Sequence, residues 1–211
     1  MEEPALARAV RIGHIDGMAQ HLQTIRSRVT EEFLPDRGRV LEIGPGEGVF
    51  DRKQCDWVAV NVSLRGPPSV LADGQALPFR GASFDAVVAT EVIEHVRYPF
   101  RLLREIRRIL KPSGRALMST PNVATPVNRL ALAAFARFPD DETLHETNDV
   151  GHIHFFTRKY FRKFVEGEGF SIAREWSHLL QVLPRRYLYN TLLERALPGL
   201  AKDIILELRL R

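Results

Sequence analysis

Cysteine is nearly absent: Cys55 is the one thiol in 211 residues. No internal disulfide can form, which excludes a cross-linked secreted scaffold and favours a reducing compartment. Cys55 stands beside an expected strand, where it reads as packing rather than as a nucleophile. Long apolar runs are also missing, and none approaches the ~20 residues that a membrane-spanning helix needs. Met1-Glu2-Glu3-Pro4 lacks the layout of a signal peptide, so the expected location is cytoplasmic. No internal repeat or low-complexity stretch interrupts the chain. An excess of either charge is lacking too: 30 Lys and Arg face 26 Asp and Glu, for a net charge of +4. That permits an anionic partner without demanding one, and no RNA-binding module is recognisable, so nucleic acid is not the expected partner. What is present, 45% apolar and 27% charged residues, belongs to a globular protein, expected as one domain over residues 1–211.

Periodicity sets the expected elements. Ile15, Met18, Leu22, Ile25, Val29 and Phe33 recur at spacings of three and four, which predicts a helix within an N-terminal helical segment, 1–36, ended by Pro35 and Gly38. Strands are expected at 39–43, 57–62, 70–73, 84–90 and 115–120. The run Phe84 to Thr90 is apolar nearly throughout, as in a central parallel strand. Helices are expected at 100–110 and 157–167. The first carries Arg101, Arg104, Arg107 and Arg108 outward, as a solvated face. A strand at 170–176 should pair with a terminal one at 203–211. Alternating strands and helices argue for a doubly wound α/β sheet with ligands at the carboxyl ends of its strands. Residues 121–156 and 178–202 fall outside that alternation and are expected as inserts on the acceptor side.

Within this frame, Val40-Leu41-Glu42-Ile43-Gly44-Pro45-Gly46-Glu47-Gly48 reads as a buried strand entering a loop that a ligand must approach closely. The dinucleotide fingerprint would require glycine at 44, 46 and 49, and position 49 is valine, so that cofactor class is excluded on spacing. Further blocks follow in order: Ala72-Asp73-Gly74-Gln75-Ala76-Leu77-Pro78-Phe79, Ser83-Phe84-Asp85-Ala86-Val87-Val88, Glu91-Val92-Ile93-Glu94-His95-Val96 and Leu110-Lys111-Pro112-Ser113-Gly114. Together, over residues 38–122, they closely resemble the small-molecule class I S-adenosylmethionine (SAM) methyltransferases.

The resemblance implies a Rossmann-like sheet, mostly parallel with a C-terminal antiparallel strand. It also implies a role for each matching residue. The backbone at Gly44, Gly46 and Gly48 would pass under the methionine and ribose of SAM, and Glu42 would help hold its amino group. Asp73 would accept from the adenine amine, with Gly74 and Gln75 reading the ring edge; a turn-capping aspartate is the alternative. Two features depart from the family pattern. The acid that normally accepts both ribose hydroxyls is replaced by Asn61, whose amide oxygen lacks the charge that strengthens such bonds. The stretches 49–60 and 62–72 are short, the second containing Gly66-Pro67-Pro68, so the first two crossover helices should be shortened.

Glu91, Glu94 and His95 follow the fourth strand, and on a helical turn i, i+3 and i+4 share one face. Two carboxylates and an imidazole suit Mg²⁺, Mn²⁺ or Zn²⁺. The E-x-x-E-H string with a later histidine resembles the ubiquinone-biosynthesis O-methyltransferases and the small-RNA 2′-O-methyltransferases. That likeness implies a divalent cation on Glu91, Glu94, His95 and His152, with His154 as the other candidate. In the metal-free alternative Glu91 contacts the cofactor, and His152 or His154 is the general base. The expected reaction is SAM-dependent methyl transfer to a small-molecule acceptor, at an oxygen of a phenol, sugar or lipid precursor. A SAM-fold binding protein without catalysis and an RNA 2′-O-methyltransferase are the alternatives. Apolar residues at 126–138 and 179–197 read as a lid, as a peripheral membrane contact, or as a homodimer face.

Overall fold

The computed structural model describes residues 11–13, 26–45, 54–63, 69–136, 151–183, 186–189 and 198–211. Among the described residues nine strands form one sheet in the order β1-β8-β7-β9-β6-β5-β2-β3-β4. They are β1 (Arg11–Gly13), β2 (Arg37–Ile43), β3 (Gln54–Asn61), β4 (Val70–Leu71), β5 (Phe84–Thr90), β6 (Leu110–Pro121), β7 (Phe170–Leu183), β8 (Arg186–Tyr189) and β9 (Ala201–Leu210). From β4 to β6 every pairing is parallel. The terminal strand β9 then enters antiparallel between β6 and β7, and β8 and β1 extend that antiparallel side.

The helices are α1, of which residues 26–33 are described, α2 (Pro99–Ile109), α3 (Pro126–Phe135) and α4 (Arg158–Gly167). Proline at its first position opens α2, where the missing N–H would have had no partner anyway. Its Pro99, Leu102, Leu103, Ile106 and Ile109 form the buried stripe, and Arg107 and Arg108 in the last turn complement the helix dipole. Thr157 caps α4 by accepting from the Tyr160 N–H at 3.2 Å, and Phe161 and Val165 face inward.

Alternation along the strands splits the core. Leu41, Ile43, Val87, Ala89, Met118 and Leu206 point to the face covered by α2 and α4. Val40, Ala86, Val88, Leu117 and Ile205 point to the opposite face, where α1 contributes Val29 and Phe33. The α2 face carries the larger cluster. Ile106→Ala there, at a fully buried position, is expected to cost about 2–5 kcal/mol in urea unfolding, through lost transfer energy and the cavity left behind.

Several boundaries differ from the sequence expectation. The strand expected at 57–62 begins at Gln54 and stops at Asn61, leaving Val62 70% exposed. Leu110 belongs to β6, not to the preceding helix, because it pairs with Phe84 across an irregular register. Residues 178–183 and 186–189, expected in an insert, continue the sheet as part of β7 and as β8. Residues 11–13, expected within a helical segment, form an edge strand on β8. Ile15, Met18, Leu22 and Ile25 lie outside the described residues, as do 46–53 and 64–68, where shortened crossovers were expected, and 137–150 of the first insert. Cys55 packs as anticipated, beside the α1 cluster with its thiol on the Pro35 carbonyl at 3.3 Å. Among the described residues no helix is long and apolar enough to cross a membrane.

Candidate active site at the carboxyl edge of the sheet

Four adjacent parallel strands deliver the expected cofactor residues to one edge. Gly44, directly after β2, has φ 67° and donates its N–H to the Val60 carbonyl at 2.8 Å. A Cβ there would lie 2.8 Å from Val92 Cγ2, so both the backbone conformation and the space require glycine. Gly46 and Gly48 lie outside the described residues. Glu42 is 4% exposed and accepts from the Trp57 indole at 3.1 Å.

Asn61 closes β3, its amide oxygen accepting from the Val62 N–H at 2.8 Å. Asp73 caps its own turn, accepting from the Gln75 N–H at 2.8 Å and from the Gln75 amide at 3.0 Å. Gln75 in turn accepts from the Tyr98 N–H at 2.8 Å, tying the turn to the start of α2. Gly74 is a packing glycine, since a Cβ would meet Ile43 and Leu102 side chains at 3.0 Å. Glu42, Asn61 and Asp73 therefore place acceptor oxygens at successive strand ends. The ammonium, ribose hydroxyls and adenine amine of SAM are donors, so these residues fit that part of the group in their chemistry.

The second half of the edge follows β5. Glu91 holds a left-handed backbone at φ 55°. Its N–H donates to the Ser119 carbonyl at 3.2 Å and hydroxyl oxygen at 3.1 Å, while the Ser119 hydroxyl donates to the Glu91 carboxylate at 2.7 Å. Arg26, from α1, bridges Glu91 at 2.9 Å and the buried Asp203 at 3.0 Å. Burial raises the Glu91 carboxyl's pKa against the opposing pull of Arg26.

Glu94 is 1% exposed, and neither of its carboxylate oxygens has a hydrogen-bond partner. The Thr120 hydroxyl stands close enough to favour the ionised form of Glu94, but short of full hydrogen-bond geometry. Burial first, and the neighbouring Glu91 charge second, push the Glu94 pKa up to about 9, so at neutral pH the group is a carboxylic acid.

The Glu94 backbone carbonyl accepts from Ile153 and His154 N–H groups at 3.0 and 3.1 Å, which docks 151–155 onto this turn. The docking brings His152 beside His95, with ring centroids 4.8 Å apart. One ligand atom from each of Glu94, His95 and His152 lies within 4.8 Å of the others. Of the four expected cation ligands, three converge; Glu91 is engaged by Arg26 and Ser119 instead. His154 stays outside the cluster, its Nε2 buried without a hydrogen-bond partner. A buried, uncompensated carboxyl beside two imidazoles fits a divalent cation, whose charge would replace the Glu94 proton.

Sequence reasoning missed Arg26, Ser119, Thr120 and Asp203. Arg26 looks like the polar side of an amphipathic helix, and Asp203 like an alternating strand residue. Their pairing spans 177 positions, and no local pattern announces it.

A parallel sheet with a glycine turn after β2, acceptor groups at successive strand ends and an antiparallel terminal strand between β6 and β7 is the architecture of the class I SAM-dependent methyltransferases. A family model described as a methyltransferase domain matches residues 17–175, and the chain belongs to that family. Among curated proteins, an uncharacterized methyltransferase of a Mycobacterium species is 34% identical over 102 residues, 42% of this chain and 40% of that protein. The chain thus matches less than half of that relative's length. Among solved structures, a SAM-dependent methyltransferase of Thermotoga maritima, described as a possible histamine N-methyltransferase, superposes with a TM-score of 0.62 at 18% identity, over 93% of this chain and 96% of that one. A SAM-dependent methyltransferase of Methanosarcina mazei gives 0.61 at 17% identity, over 86% and 97%. At such identities these structures speak for the fold.

Proposed function

We propose that this chain transfers the methyl group of SAM to an oxygen of a small-molecule acceptor held at the Glu94–His95–His152 edge, with a divalent cation there. The observation that carries the reading is the convergence of those three side chains around a buried carboxyl that lacks a partner. Glu42, Asn61 and Asp73, with the Gly44 turn, would hold SAM, which supplies an electrophilic methyl group when bound. Mg²⁺, Mn²⁺ or Zn²⁺ would supply a positive charge that acidifies and orients the acceptor oxygens.

The chain's own residues then have defined tasks. Glu94, as a carboxylate, would hold the cation together with the imidazole nitrogens of His95 and His152. Direct attack on the methyl group needs no covalent enzyme intermediate. His154 supports a second, metal-free reading, because its Nε2 is buried and unpartnered. In that version His154 or His152 accepts the acceptor's proton.

The test is methyl transfer to a panel of phenols and catechols before and after chelator treatment. Activity should fall on stripping and return with Mn²⁺ or Zn²⁺, and His95→Ala should cost on the order of 100-fold. Full turnover in the rigorously stripped chain would remove the cation, leaving the histidine-base version to be tested by His154→Ala.

A further inference from the structure

We infer that Arg26 is a positioning residue for the cofactor: reaching from α1, it clamps Glu91 to Asp203 and thereby fixes Val92 against Gly44 at the glycine turn. The inference rests on the reading that SAM binds at the Gly44 edge.

Three elements meet at this guanidinium: α1, the turn after β5 and β9. One nitrogen, Nη2, lies 2.9 Å from Glu91 Oε2 and 3.0 Å from Asp203 Oδ2. Asp203 is 2% exposed on β9, in register with Pro121 at the end of β6. The Arg26 and Glu91 side chains are 28% and 21% exposed, so the clamp is half-buried, with Asp203 its buried end. Two carboxylates brought this close repel unless a cation stands between them.

The consequence reaches the cofactor turn through the backbone. Glu91 occupies the left-handed region, at φ 55°, which is disfavoured for a residue with a Cβ. Such a conformation persists only where surrounding contacts over-determine it. Those contacts are Ser119 on the Glu91 N–H and carboxylate, and Arg26 on the other carboxylate oxygen. The next residue is Val92, whose Cγ2 fills the space a Cβ on Gly44 would take. A rotation of the Glu91 backbone would carry Val92 with it and change the floor of the glycine turn. The polar contacts of Arg26 are to Glu91 and Asp203, so it acts on the turn through Glu91.

Calorimetric titration of S-adenosylhomocysteine into the whole chain tests this with Arg26→Met, Arg26→Lys and the double variant Arg26→Met/Asp203→Asn. Arg26→Met should bind about tenfold more weakly, and Arg26→Lys should recover part of the loss by keeping a cation near Glu91. The double variant removes one unbalanced carboxylate. It should regain melting temperature relative to Arg26→Met while its affinity stays low. A purely structural ion pair would instead restore both together, and that result overturns the inference. So does binding as tight as wild type in any folded Arg26→Met background. If Arg26→Met alone does not fold, the lysine and double variants carry the comparison. A wild-type chain that binds no S-adenosylhomocysteine at millimolar concentration fails the cofactor reading itself, and the inference falls with it.

Discussion

Glu94→Gln should make this protein more resistant to alkali, with a gain that grows as pH rises. The Glu94 carboxyl has its pKa raised from 4.5 to about 9 by burial and by the Glu91 charge. Below 4.5 both folded and unfolded chains hold this proton. Between 4.5 and about 9 the unfolded chain ionises while the folded one does not, so wild-type stability declines with pH across that window. From pH 5 to 8 the full linkage amounts to about 4 kcal/mol, which the glutamine variant would not lose. Urea unfolding at both pH values, in chelator, measures the difference, and parallel pH profiles for the two proteins would sink the assignment. Zn²⁺ should reverse the ranking at pH 8, because a cation that displaces the proton stabilises only the carboxylate form. Cation binding by wild type should accordingly release a proton, detectable as a buffer-dependent enthalpy in calorimetry.

The same cluster shows where the sequence was readable. Glu94, His95 and His152 could be named because the E-x-x-E-H string with a later histidine matches a known pattern; the helical turn expected at 91–95 is absent, since the segment is a run of turns entered by Glu91 at φ 55°. Glu91 could be named from the same string, but its partners could not. It is captured by Arg26 and Ser119, from elements whose mutual position depends on the order of strands in the sheet. Local periodicity carries no such information. The antiparallel side was half legible for a similar reason: β9 alternates apolar and polar residues and reads as a strand, whereas β8 is four residues long and reads as part of an insert. Asp73 illustrates a different limit. Its block leads to the expectation of a cofactor contact, and in the structure it caps the turn that presents Gln75. The two roles are compatible, since a carboxylate has more lone pairs than the turn uses.

Gly44→Ala should weaken S-adenosylhomocysteine binding more than tenfold and lower the melting temperature by several degrees, because two costs coincide at one atom. At φ 67° an alanine enters the left-handed region, at about 1–2 kcal/mol. Its Cβ would also stand 2.8 Å from Val92 Cγ2, well inside the ~3.5–4.0 Å separation at which carbon atoms attract. Valine cannot swing clear easily, because branching at Cβ restricts its χ1. The backbone must therefore shift, and it is the backbone that would approach the cofactor. Gly74→Ala provides the contrast: its Cβ would meet Ile43 and Leu102 side chains at 3.0 Å without a positive φ. That variant should lose stability with less effect on affinity. The double variant Gly44→Ala/Val92→Ala separates the two costs at Gly44, since it removes the contact and keeps the conformational strain. It should recover melting temperature before it recovers binding. An alanine at 44 that binds S-adenosylhomocysteine as tightly as glycine would mean the turn after β2 is not where the cofactor lies.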